Sequence, residues 1–387
     1  MSRLSELIRD LCPDGVDKRP LGELLAYTQP GPYLVSSKKY SPRFPTPVLT
    51  AGTTFLLGYS RETDGVYEAS KSNPVIIFDD FTTDSKWVDF PFKLKSSAAK
   101  ILTLANSELA DIRFLFYSLQ TIRYEAGTHS RYWISRFAKM PVFCPPLEVQ
   151  REIVRILDQF TALEAELEAE LEARRKQYEY YREQLMREAA ICETRALSDI
   201  SVTIRSGGTP RSNNASYYNG VVPWLRTQDI DFCDIWETSA SITEEGLCNS
   251  SAKWVPIGCV IIAMYGATAA KVAMNRIPLT MNQACCAFEI DDSKAVARYV
   301  YHWIASQYVT LRSQGEGSQN NLSVGKLKKV QIPLPSIYEQ RRIADILDRF
   351  DALVNDISFG LPAELEARRK QYEHYRDRLL FFPEKEA

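Results

Sequence analysis

At 387 residues, 45% apolar and 25% charged, the chain is long enough for two or three domains, each with a core of its own, and its composition is that of an ordinary globular protein. A net charge of −2 argues against a uniformly basic nucleic-acid binder; no run of about 18 apolar residues suggests a membrane span, and the charged stretch from Met1 to Asp10 lacks a signal-peptide core. Eight cysteines without a CxxC pair and three dispersed histidines do not make a zinc pattern, so free thiols, no metal and a cytoplasmic setting are expected.

The chain reads as globular, helical, globular, helical, with segments 1–146, 147–190, 191–336 and 337–387. The first segment predicts short strands such as Val75 to Phe78, a helix near Leu109 to Ile122, a polar glycine-containing loop and a Pro145-Pro146 exit. Residues 147–190 carry a coiled-coil stripe through Ile153, Ile156, Phe160, Leu163 and Leu167. Leu163, Leu167 and Leu171 then step by four inside a tandem Leu-Glu-Ala-Glu, a stutter, before Tyr178, Tyr181 and Leu185 resume the stripe. Segment 191–336 repeats the first plan with a strand at Val260 to Ala263, a helix near Ala295 to Leu311 and the exit Pro333-Leu334-Pro335. The last stripe runs Ile343, Ile346, Phe350, Leu353, Ile357, Leu361, Leu365, Tyr372, Tyr375 and Leu379. Gly360 and Pro362 fall inside its extra turn and predict a kink or break.

The fold class expected is therefore α+β. Two mostly-β domains with small helices are separated by two long helices packed as an antiparallel coiled coil, each about 60 Å long at ~1.5 Å per residue. The helical segments hold a net charge of −6 and the globular ones +4, so charge alone neither supports nor excludes phosphate contact.

Internal repetition is the strongest signal. Residues 150–163 match 340–353 at 9 of 14 positions, and Leu171-Glu172-Ala173-Arg174-Arg175-Lys176-Gln177-Tyr178-Glu179 recurs unchanged at 365–373. Fainter matches pair Leu21-Gly22-Glu23-Leu24 with Leu197-Ser198-Asp199-Ile200, Val75-Ile76-Ile77 with Val260-Ile261-Ile262, and Gly127 with Gly315. The layout is a pseudo-two-fold duplication.

No constellation for catalysis emerges. The sequence lacks a GxGxxG turn, a phosphate-cradling GxxxxGK loop and the Pro-Pro-aromatic tetrad of a base methyltransferase. His129, His302 and His374 belong to no His-x-x-x-His or G-x-S-x-G pattern. Asp80, Asp84 and Lys86 could mimic a metal-dependent nuclease, but the second copy has Tyr265, Ala269 and Lys271 there, so the carboxylates vanish while the scaffold persists.

The polar loops differ between the copies, as expected when one scaffold reads two different targets. The first offers Ser36, Ser37, Lys38, Lys39, Tyr40, Arg43, Thr82, Thr83, His129, Ser130, Arg131 and Trp133. The second offers Arg205, Gly207, Gly208, Thr209, Arg211, Arg226, Thr227, Ser318, Gln319, Asn320 and Asn321. Arg, Asn and Gln suit base edges; Lys, Ser, Thr and glycine amides suit phosphate. Taken singly, each could be a solvated loop residue; taken as groups they point to DNA. Tyr124, Trp224 and Trp236 are read as core aromatics, and Trp133 alone as a base-contacting one.

The duplicated Leu-Glu-Ala-Arg-Arg-Lys-Gln-Tyr helices, the two proline exits, and Ser206-Gly207-Gly208-Thr209-Pro210 followed by Pro223-Trp224 resemble the specificity subunits of type I restriction–modification enzymes, over essentially the whole chain. The resemblance implies two target recognition domains, each reading half of an interrupted site in double-stranded DNA, with the helix pair as ruler. It implies a chain without catalytic activity or cofactor of its own. S-adenosylmethionine would sit on two docked methylation subunits, and ATP with Mg²⁺ on restriction subunits where these join. The first domain departs from the pattern, having Thr28-Gln29-Pro30-Gly31-Pro32 in place of the Ser-Gly-Gly-Thr-Pro turn. A coiled-coil adaptor with protein-binding ends is the alternative.

Overall fold

The computed structural model describes residues 3–50, 52, 54–124, 131–315, 321–355 and 360–385. Two compact units emerge, one of residues 1–168 with 365–387, the other of residues 169–364.

In the first unit an antiparallel sheet runs in the order Leu25–Thr28, Ala99–Leu104, Val75–Asp79, Ser85–Val88. All five residues of the Val75–Asp79 strand are buried, because both faces of the sheet are covered. Side chains alternate along the strand. Ile76 and Phe78 pack with Leu115 of the helix Ile112–Thr121, with Trp133 and Phe137, and with Ile153. Val75 and Ile77 pack the other way, with Phe92 and with Leu49 and Leu94 of a second sheet, ordered Leu56–Ser60, Thr46–Leu49, Lys93–Leu94. The helix starts three residues later than expected for a local reason: the Asp111 carboxylate accepts the Arg113 and Phe114 amides and caps it there. The chain's end closes this unit, with Leu380 and Phe382 buried and Val16 bridged to Glu384.

The second unit repeats the plan with an addition. Its sheet runs Ser201–Ser206, Cys285–Ile290, Val260–Ala263, Val272–Asn275, Cys233–Ile235, the last pair parallel. Val260 and Ile262 face Tyr299, Ile304 and Leu347, while Ile261 and Ala263 face Leu225, Leu279 and Met281. The helix read near residues 295–311 is two, Ala297–Ser306 and Tyr308–Ser313.

The first long helix is continuous from Leu147 to Ala189, tandem tetrapeptide included. The second is two helices, Ile337–Asn355 and Leu361–Leu379, with 356–359, and so Ile357, outside the described residues. Pro362 lies in the first turn of the later helix, where a missing N–H breaks no hydrogen bond.

The coiled-coil stripe is correct in period but incomplete in position. In the first unit the Phe160 ring stacks on Tyr375 at 5.5 Å and meets Tyr372 at 6.4 Å, and Arg369 pairs with Glu164 and Glu168 at 2.6 and 2.5 Å. In the second, Phe350 stacks on Tyr178 and Tyr181 at 6.2 and 5.6 Å. Ile153, Leu171, Tyr178, Ile343 and Leu365 are buried, and Ile156, Leu167 and Ile346 partly so. Leu163 and Leu353 are corrected from seam to surface, 51% and 38% exposed. Burial falls also on Val149 and Leu157, and on Leu347, which lie outside the stripes, since each helix also covers its own globular domain. Among the described residues no helix is long and apolar enough to cross a membrane.

Candidate nucleic-acid interface

Three loops of each unit converge on one end of its central sheet, brought there by strand register. In the first unit Thr28 ends its strand opposite Ile101, Asp80 donates its amide to Ala98 at 2.9 Å, and Tyr132 donates its amide to the Asp80 carbonyl at 3.1 Å. The turn beginning at Gln29, the hairpin tip 79–84 and the segment carrying Arg131 therefore share an edge. In the second unit Gly207 donates to Cys285 at 3.1 Å, Met264 to Ala284 at 2.7 Å and Leu322 to the Met264 carbonyl at 2.8 Å. The turn 207–209, the tip 264–268 and the segment carrying Asn321 share the corresponding edge. By strand register Gln29 is equivalent to Gly207 and Lys100 to Cys285, and Tyr132 takes the place of Leu322, so one frame displays unlike residues.

In the first unit the frame is held by buried charge. Asp80, almost wholly buried, accepts the Trp133 amide at 2.7 Å and lies 3.5 Å from the equally buried Lys100 ammonium, which also donates to Gln29 at 2.9 Å. Asp79 accepts the Phe81 and Thr82 amides at 2.9 and 3.2 Å, which shapes the tip and holds Thr83 at φ +65°. Asp84 pairs with Lys86 at 2.8 Å. These carboxylates are spent on the fold, and among the described residues no cluster of His, Cys, Asp and Glu could hold a metal ion.

A second organising carboxylate is Glu62, which accepts the Ser36 and Ser37 amides at 3.0 and 2.8 Å and sits 3.1 Å from Lys93. The Ser37 amide, ahead of Lys93 and Ser36, holds its pKa below the usual range against slight burial. Lys38, Lys39 and Arg43 are left exposed on the loop so formed. Tyr40 is half-buried and its hydroxyl has no partner among the described residues.

Several expected contacts are corrected. Trp133 is 1% exposed, edge-on to Phe78 at 5.2 Å, and cannot stack on a base, whereas Trp236, read as core, is 69% exposed. The Gly207 and Gly208 amides are not free for phosphate, because they donate to Cys285 and, at 2.8 Å, to Met281. A Cβ on Gly208 would lie 2.2 Å from the Ala252 amide nitrogen, so glycine there serves close backbone approach. The Arg205 guanidinium is paired with Glu289 at 2.8 Å and donates to Thr203, which turns it inward. Thr209 is hydrogen-bonded to Gln283, and Arg226 donates to Ser239 at 3.2 Å beside the turn that begins at Thr227. Thr82, Arg131, Arg211 and Asn321 remain exposed. His129, Ser130, Ser318, Gln319 and Asn320 lie outside the described residues.

Comparison with known proteins agrees with this layout. The type I restriction modification DNA specificity domain matches residues 13–173 and again 192–367. The chain is 43% identical over 405 residues to the type I restriction enzyme EcoR124I/EcoR124II specificity subunit of Escherichia coli, covering 100% of this chain and 99% of that one. Among solved structures, the S subunit of a type I restriction–modification system from M. genitalium superposes with a TM-score of 0.61 at 14% identity, over 94% of this chain and 96% of that one. A chain from a study of type I restriction–modification complex assembly gives 0.51 at 15% identity, over 94% and 99%.

Proposed function

The chain belongs to the family of type I restriction–modification DNA specificity domains, and from that premise we propose that each of its units reads one half of a two-part DNA target while the helices set the gap. It is a specificity subunit, and DNA sequence recognition is its function; the coiled-coil adaptor is not favoured. The observation that carries the two-part reading is the convergence of three loops on the same sheet edge in both units, with unlike residues on a like frame. Exposed Arg131 and Thr82 in one unit, and Arg211 and Asn321 in the other, are side chains suited to groove edges and phosphate.

The remaining roles follow as proposals. The chain performs no chemistry itself and carries no cofactor, since its buried carboxylates hold loops rather than reactants. S-adenosylmethionine binds to two methylation subunits docked on the nearly identical helical segments, and ATP with Mg²⁺ to restriction subunits where these are present. The helical exteriors suit docking because they retain Lys176 and Glu179 as Lys370 and Glu373, all four exposed.

Footprinting of the assembled methyltransferase tests the reading. Two protected segments separated by an unprotected gap are expected, about one helical turn apart from centre to centre; one short continuous footprint would overturn it.

A further inference from the structure

Each globular domain is fastened to its helical segment by a pair of polar contacts that the two units repeat at equivalent positions. In the first unit Gln150, fully buried, accepts the Asp111 amide at 2.8 Å and donates to the Leu109 and Pro145 carbonyls at 2.9 and 2.7 Å. Eight residues on, Asp158 accepts from the Arg113 guanidinium at 2.8 Å and the Tyr117 hydroxyl at 2.5 Å. In the second unit Gln340, also buried, accepts the Val296 amide at 2.9 Å and donates to the Pro335 carbonyl at 2.9 Å. Asp348 then accepts from Arg298 and from His302, each at 2.5 Å. Between the two polar points lie buried apolar residues, Ile153 and Leu157 in one unit and Ile343 and Leu347 in the other.

This arrangement does more than hold two surfaces together. An apolar strip is non-directional and lets a helix rock on it. Two directional contacts eight residues apart, roughly 12 Å along the helix, fix an angle that one contact would leave as a hinge. The helix of the globular domain is gripped at its N-terminus by the glutamine and along its first turns by the aspartate. Its own sequence differs between units, Ile112-Arg113-Phe114-Leu115 against Ala297-Arg298-Tyr299-Val300, yet the arginine and both anchoring side chains are kept. The apolar strip between the anchors already supplies burial, so retention of two directional contacts at the same spacing in both units points to the angle.

We propose that Gln150, Asp158, Gln340 and Asp348 are positioning residues that fix the angle between each recognition domain and its helix, and so make the complex strict about the gap between half-sites. The inference rests on the two-part reading above. The test uses the assembled methyltransferase and DNA carrying the authentic half-sites with the native gap, one base pair fewer or one more. For Gln150→Met and Gln340→Met, which remove three and two buried hydrogen bonds, the preference for the native gap is expected to fall about tenfold, with base preference inside each half-site unchanged. A purely structural role would lower methylation of all three substrates in proportion. Tyr117→Phe, which leaves Arg113 on Asp158 and keeps the fold if the methionine variants fail, is expected to move the same ratio in the same direction, by about threefold for a single bond. An unchanged ratio in folded Gln150→Met or Gln340→Met, or in Tyr117→Phe where neither folds, would overturn the inference. A wild-type complex indifferent to the gap would instead overturn the two-part reading.

Discussion

Tyr117 and His302 hold the same position in the two units, and each closes on the aspartate of its own helix at 2.5 Å, Tyr117 on Asp158 and His302 on Asp348. Burial, then the bond to Asp158, pushes the Tyr117 phenol up, far from neutrality. Burial pushes the His302 imidazole below its ordinary 6.5; nearby Arg298 adds to this, while Asp348 and Asp351 oppose it. Burial works to raise the Asp348 carboxyl, but His302 and Arg298 prevail and hold it below its ordinary 3.8.

The consequence is a pH dependence in the second unit. With a depressed native pKa, His302 stays neutral while the unfolded chain takes up a proton, so its contribution is complete above about pH 6.5 and is lost as pH falls towards the native value. Asp348 loses its contribution only at still lower pH, below about 3.8. Urea midpoints should therefore fall from pH 7.5 to pH 5.5, and His302→Phe should flatten that fall. The same slope in both proteins would show that His302 is not responsible.

Gly208 and Gly31 occupy corresponding turns but should respond oppositely to a methyl group. Gly208→Ala brings Cβ to 2.2 Å from Ala252 N and 2.4 Å from Ser251 C, so the backbone must move, at a cost of about 3 kcal/mol. Gly31→Ala meets nothing within 4 Å and should change stability by no more than ~0.5 kcal/mol. Denaturant unfolding of the two variants measures the difference.

Arg131 and Trp133 separate recognition from folding over two positions. Arg131→Ala should leave the melting temperature unchanged, weaken DNA binding and, for one lost phosphate contact, reduce the salt slope of binding by about 1. Trp133→Ala empties a fully buried site beside Phe78 and Phe137 and should cost about 3–5 kcal/mol. Equal loss of stability in the two variants would contradict the burial pattern.

Removing Leu167 to Glu170, one tetrapeptide of the continuous helix, should shorten the gap and leave both half-site sequences unchanged. Methylome sequencing reads gap and half-sites together. An altered half-site would mean that the helix contributes to base reading.

Much of the architecture was legible because its signals are local. Val75–Asp79 and Val260–Ala263 announce themselves as apolar β-branched runs, and the helical stripes show in steps of three and four that need no partner to be recognised. The duplication was visible for the same reason, as was the break foretold by Gly360 and Pro362. The second face of each helix was not, because Val149 and Leu157 matter only once a globular domain lies against them.

The amino-acid order alone set the repeat, the element types and the loops able to differ between copies, since these depend on neighbours within a few residues. Tertiary structure decided which polar groups remain available. Gly207 and Gly208 offer amides in sequence but spend them on Cys285 and Met281; Arg205 offers a guanidinium but gives it to Glu289. Trp133 and Trp236 exchanged their expected places. Gln150 and Gln340 looked like ordinary helix residues until Asp111 and Val296, 39 and 44 residues earlier, came within hydrogen-bond reach. Burial and hydrogen-bond saturation are properties of pairs distant along the chain, and only the fold brings those pairs together.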